Sequence, residues 1–285
     1  MAEEPEKRML FDLRGRRKRV IQVIYVFLAV IMVASLVVIG LPGGGFNSGN
    51  TQADIDAAQV QIDRAENLQK RVAADKTKLG AQAELIRARV SAGNTLRGDP
   101  DPTTGQAAIT PKASEQYDLA AEAWDAYVKS AEGDADPAVA LLMAQTFSSL
   151  SVGGTVARFE SNSVESVKAQ KIVVEDAKRQ FQKGEGPVPT NQLLQLAFYQ
   201  YLAQDTAAAD ATSKQALATL DAPGERKQVR TQLKQAERQG QFIARQLKQA
   251  KKQARQDGGQ SLQEPAGSLG AQDSLPSDAA GTGTP

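Results

Sequence analysis

The chain has no cysteine and no histidine among its 285 residues. Without cysteine there is no disulfide framework, thiol nucleophile or lipobox. Without histidine there is no Ser-His-Asp or Cys-His catalysis, and without both there is no Cys/His zinc centre. The commonest side chain that titrates near neutral pH is missing as well. Cysteine's absence leaves the redox compartment open, because a thiol-free chain is stable in either. Aromatic residues are few, 5% of the chain with a single tryptophan. There is no P-loop, no G-x-G-x-x-G and no serine three residues before a lysine, so the phosphate-cradling and Ser-Lys hydrolase motifs are excluded. No enzymatic activity, cofactor or metal is expected.

Charge of one sign is also lacking in total, with 34 basic and 33 acidic residues giving +1. By segment the balance is uneven. It is +3 over 1–19 (seven basic, four acidic), zero over 20–41, −6 over 42–224 (17 against 23), +8 over 225–256 (ten against two) and −4 over the remainder.

Residues 20–41, VIQVIYVFLAVIMVASLVVIGL, form the one long apolar run. At about 1.5 Å per residue it reaches roughly 33 Å as a helix, enough for a hydrocarbon core of about 30 Å. It exceeds the apolar core of a signal peptide, and no A-x-A cleavage site follows. Arg14, Arg16, Arg17, Lys18 and Arg19 stand immediately before it, and no cation follows until Arg64. The positive-inside rule therefore predicts a single-pass anchor in the plasma (inner) membrane, with a cytoplasmic basic tail over 1–19 and everything after residue 42 outside the cytoplasm. Those five cations, at the membrane edge, suit anionic headgroups better than nucleic acid.

Residues 42–52 read as a flexible linker and 257–285, rich in Gly, Ser, Pro, Ala and Gln, as a disordered tail. Between them the residues are mostly good helix formers whose apolar positions recur at three and four, which predicts an all-α fold. Glycine and proline clusters divide the stretch into helices near 53–74, 79–92, 114–131, 138–151, 163–183, 190–204, 206–220 and 225–256. Asp54/Asp56, Asp99/Asp101 and Asp134/Asp136 are paired carboxylates, but none continues into a calcium loop and two sit at helix starts, where Asp caps. Trp124 and Tyr127 lie on an apolar helix face and are read as core.

The segment 190–223 resembles a tetratricopeptide repeat. Leu193, Leu196 and Ala197 stand at the large, large and small positions of helix A, Ala209, Ala216 and Leu217 at those of helix B, and Pro223 near the closing proline. A second unit has Ala140, Met143, Ala144 and Phe147, then Ala169 and Val173. A third has Leu85 and Gly93, then Tyr117, Ala120 and Trp124. The family departs from this chain at Ile86, Arg89 and Gln200, and at the stretched connections 94–113 and 152–162. The resemblance implies an α-α solenoid of about three repeats over 53–224, in which stacked helix pairs share one core. It also implies that proteins or peptides bind a concave groove lined by helix A, here Arg87, Gln145, Asn191, Phe198 and Tyr201. In layout the chain is similar to the bacterial ancillary subunit of the Sec translocon, which implies an adaptor role in export or envelope protein assembly.

The last segment, 225–256, differs. Val229, Leu233, Ala236, Gly240, Ile243, Leu247, Ala250 and Ala254 follow a heptad spacing, thinned by glycine and alanine. The simplest reading is a long amphipathic helix that caps the last repeat. Weak self-association, or a polyanion-binding role for Lys248, Lys251 and Lys252, are the alternatives. Two functions follow: a membrane-anchored scaffold that captures proteins in its groove, or a tether whose basic helix holds an anionic envelope polymer or lipid surface.

Overall fold

The computed structural model of the protein describes residues 52–99, 107–151 and 155–256. The apolar run 20–41, Arg14 to Arg19 and the segment 257–285 lie outside them. Among the described residues the fold is all-α, with no strand. The helices are α1 (Gln52–Ala74), α2 (Leu79–Thr95), α3 (Pro111–Ala131), α4 (Pro137–Ser151), α5 (Val156–Gln182), α6 (Thr190–Leu202), α7 (Thr206–Ala218) and α8 (Pro223–Gln256). None of them is long and apolar enough to cross a membrane.

Local chemistry sets the helix starts. Thr110 accepts the amide of Ala113 at 3.1 Å, with Pro111 as the first helical residue of α3. Proline is favoured there because its missing N–H would be unpaired anyway. Asp136 accepts the amide of Ala138 at 2.8 Å to open α4, and Asp205 that of Ala208 at 3.2 Å to open α7. Thr155 accepts Arg158 N–H at 3.2 Å, so α5 begins at Val156, seven residues before the expected 163. The upstream residues belong to the helix because Val156, Phe159, Ser163, Ser166, Val167 and Gln170 form one continuous buried stripe. At the end of α3, Glu132 takes a left-handed conformation (φ 46°) and Gly133 follows at φ 103°, which stops the helix sharply.

Helices pair in sequence order. The end of α2 meets the start of α3: Tyr117 Oη donates to Asn94 Oδ1 at 2.7 Å, and Arg97 Nε donates to Tyr117 Oη at 2.8 Å. The end of α6 meets the start of α7 through Tyr201 Oη and Asp210 Oδ1 at 2.8 Å, and their opposite ends meet through the Thr190 and Thr219 hydroxyls at 2.6 Å. Each of these pairs is therefore an antiparallel hairpin. Neighbouring hairpins stack in the same sense. Arg87 midway along α2 pairs with Asp136 before α4 at 2.7 Å, and Arg97 beyond the end of α2 donates to Ser149 near the end of α4 at 2.9 Å. Arg158 likewise ties the start of α5 to Ser114 and Asp118 at the start of α3, at 2.9 and 2.7 Å.

One main core runs through the stack, built from Ile86 and Val90 of α2, Trp124 and Tyr127 of α3, Val139, Met143 and Phe147 of α4, Val174 of α5 and Leu193 and Leu196 of α6. Alanines 120, 140, 144, 169, 197, 209 and 216 are wholly buried where helices cross. Their small side chains let the backbones approach closely, and burial of each larger apolar side chain contributes ~1.5–3 kcal/mol.

Candidate interaction surface

Helix α8 is 34 residues long and rises ~51 Å at 1.5 Å per residue. Its start packs on α6 and α7, where Val229 and Leu233 meet Ala197, Leu194 and Leu217. One turn on, Ala236 meets Tyr201 and Ala209. Beyond α6 the helix reaches the first turns of α5, where Leu247, Ile243 and Ala250 meet Val156 and Phe159. The heptad seam is thus filled by the chain's own hairpins, and α8 caps the last of them.

A helix advances 100° per residue, so the seam fixes the other two faces. Lys227, Arg230, Lys234, Arg238, Arg245, Lys248 and Lys252 fall within ~80° of one another on one outer face, a stripe about 38 Å long at 1.5 Å per residue. All seven are exposed, and among the described residues none is in an ion pair. Of the two acidic residues of the helix, Glu225 lies in the first turn and Glu237 accepts a hydrogen bond from Gln241 at 3.0 Å instead of meeting a cation. The remaining face carries Gln228, Gln232, Gln235, Gln239, Gln246 and Gln249 around an exposed Phe242, and is uncharged.

Of the three lysines singled out from sequence, Lys248 and Lys252 lie on this stripe. Lys251 does not. It sits nearer the seam, and its ammonium pairs with Glu160 of α5 at 2.5 Å. Arg226 also lies off the stripe, donating to the Leu220 carbonyl at 2.6 Å.

The five expected groove residues are not equivalent. Gln145 on α4 and Asn191 on α6 are exposed. Arg87 is half-buried and committed to Asp136. Phe198 is half-buried against Tyr199, ring centroids 5.8 Å apart, and packs into the core. Tyr201 differs from the expectation: it is 6% exposed, covered by Ala236 and Gly240 of α8, and its hydroxyl is held by Asp210. Helix α6 alone cannot reveal this, because the residue that covers Tyr201 lies about 40 positions downstream. Burial, with Asp210 alongside, holds the Tyr201 hydroxyl above its ordinary pKa.

Among the described residues no cluster of carboxylates could hold a metal ion. The Arg97 side chain is used within the fold, donating to Tyr117 and Ser149, and its guanidinium lies 5.5 Å from the Tyr117 ring centre. Trp124 and Tyr127 are in the core, centroids 5.9 Å apart, as their helix face implied. No protein family, curated protein or solved structure matches the chain.

Proposed function

We propose that the chain is a membrane-anchored, tetratricopeptide-like helical-repeat scaffold that acts outside the cytoplasm, and that the outer face of α8 holds an anionic polymer or lipid surface. Residues 20–41 supply the anchor and the stacked hairpins the rigid spacer. The observation that carries this reading is the stripe of seven exposed cations without carboxylate partners among the described residues, on a helix whose apolar seam is already used. A charged face needed only for solubility would be expected to mix signs, as i,i+4 pairs do on exposed helices. Seven cations in one row instead create a linear field suited to repeating phosphates or carboxylates.

The full chain in neutral phosphatidylcholine nanodiscs, titrated with inorganic polyphosphate, tests it. Binding should weaken steeply with salt. If each contact behaves as with a single-stranded polyanion, seven contacts give a slope of log K on log salt of about −5. Binding that is independent of salt, or absent, would remove the reading.

A second reading is capture of a protein segment along α4 and α6, favoured by the exposed Gln145 and Asn191. That contact would be mainly neutral and would vary little with salt.

A further inference from the structure

Helices α1, α2 and α3 line a cleft of about 290 Å³, open to solvent on one side and walled mainly by Val72, Leu85, Leu119 and Ala123. Arg89 of α2 lines it and is 5% exposed. A buried guanidinium normally faces a carboxylate, because an unpaired charge taken out of water is costly. Here its terminal nitrogens donate to two neutral groups, Gln116 Oε1 at 2.8 Å and Gln69 Oε1 at 2.9 Å. Among the described residues no carboxylate is within ion-pair distance of Arg89. Glu66 and Glu115 act on it only from a distance, and both are exposed. Burial therefore lowers the Arg89 pKa, the expected direction for a cation short of a counter-charge.

The cavity is already formed. Gln82, itself buried, donates to the Lys76 carbonyl at 2.5 Å and holds the turn between α1 and α2 at its edge. Lys76 and Glu122, both exposed, stand at the rim with opposite charges. Arg89 is thus the one charge among the buried members of the lining.

We propose that this cavity binds a small carboxylate with an apolar tail: the tail lies against Val72, Leu85 and Leu119, and the carboxylate supplies the close counter-charge that Arg89 does not have among the described residues. The planar fork of arginine suits a carboxylate better than a point charge would. A volume near 290 Å³ is at the small end of ligand sites, which fits a single ring or a short chain. This site is separate from the α8 stripe, and neither depends on the other.

The test uses the full chain in neutral nanodiscs, with 3-phenylpropanoate as probe and 3-phenylpropan-1-ol as its uncharged counterpart, both followed by calorimetry against empty nanodiscs. The acid should bind at least tenfold more tightly than the alcohol. Ala126→Trp, at an exposed position on the cavity wall, should weaken the acid at least tenfold while circular dichroism and melting stay as in the parent. Arg89→Lys should retain some binding but lose most of the preference for acid over alcohol. Equal affinity for acid and alcohol, absence of acid binding at millimolar concentration, or binding unaffected by Ala126→Trp would each overturn the proposal.

Discussion

Gly240 of α8 lies directly against the backbone of Tyr201. A Cβ at position 240 would sit 2.8 Å from the Tyr201 carbonyl oxygen and 2.9 Å from its Cβ. The same contact is closed from the other side by Gln204, whose amide donates to the Gly240 carbonyl at 3.2 Å. The glycine that thins the heptad seam is thus a point of close approach between α8 and α6. Gly240→Val should destabilise the docked helix by ~1–3 kcal/mol, the usual cost of forcing extra carbons into a filled contact. Trypsin, for which α8 offers many sites, should cut it sooner than in the parent while cleavage elsewhere is unchanged.

The α2–α3 hairpin has an equivalent contact. A Cβ on Gly93 would meet the Tyr117 ring at 2.7 Å, and that ring is fully buried and pinned by Arg97 and Asn94. Gly93→Ala should therefore lower stability by ~1–2 kcal/mol despite the better helix propensity of alanine. Tyr117→Phe should cost ~1–2 kcal/mol by removing two hydrogen bonds. Because the residues touch, the double variant should fall short of the sum in chemical denaturation.

Much of this arrangement is legible in the sequence. The helices α1, α2, α4 and α6 to α8 begin within two residues of the boundaries implied by glycine and proline clusters. The small positions Ala144, Ala197 and Ala216, and Gly93, lie at close helix contacts, because only helical periodicity places small residues at such intervals. Three features resist a linear reading. Pro111 begins a helix where a breaker was expected, since the same ring that interrupts a helix is well accommodated in its first turn. The burial of Tyr201 depends on α8, and the cavity beside Arg89 depends on three helices meeting. Both arise from tertiary contacts that no local window contains. Arg89 did give a signal, as a charged residue at an apolar helix position.

Stability should respond to pH mainly on the alkaline side. Burial holds the Tyr117 and Tyr199 hydroxyls above their ordinary pKa near 10, and Tyr201 likewise. A folded-state pKa raised above the unfolded value gives stability that is complete below about 10 and is lost as pH rises through the folded value. Denaturant midpoints should be flat between about pH 6 and 9, with no histidine to titrate, and fall above 10. Tyr117→Phe should reduce the alkaline fall.

Trp124 anchors the main core at 2% exposure. Trp124→Ala should cost ~3–5 kcal/mol through lost burial and a residual cavity. Intrinsic fluorescence of the parent, from this single tryptophan, should be blue-shifted when folded and move to the red at the same denaturant midpoint as the loss of helix measured by circular dichroism.

The most direct test of the interaction surface compares outward and inward cations of α8 by charge reversal. One variant carries Lys234→Glu, Arg238→Glu and Lys248→Glu on the stripe, and the other carries Lys251→Glu, at the lysine that pairs with Glu160. Both are measured as full chains in neutral nanodiscs for polyphosphate binding at low salt. The triple variant should bind at least tenfold more weakly with an unchanged helix content. Lys251→Glu should bind within about twofold of the parent and be slightly less stable, since an exposed pair contributes only ~0–1 kcal/mol. Equal binding by the triple variant and the parent would contradict the assignment of α8 as the anion-holding face.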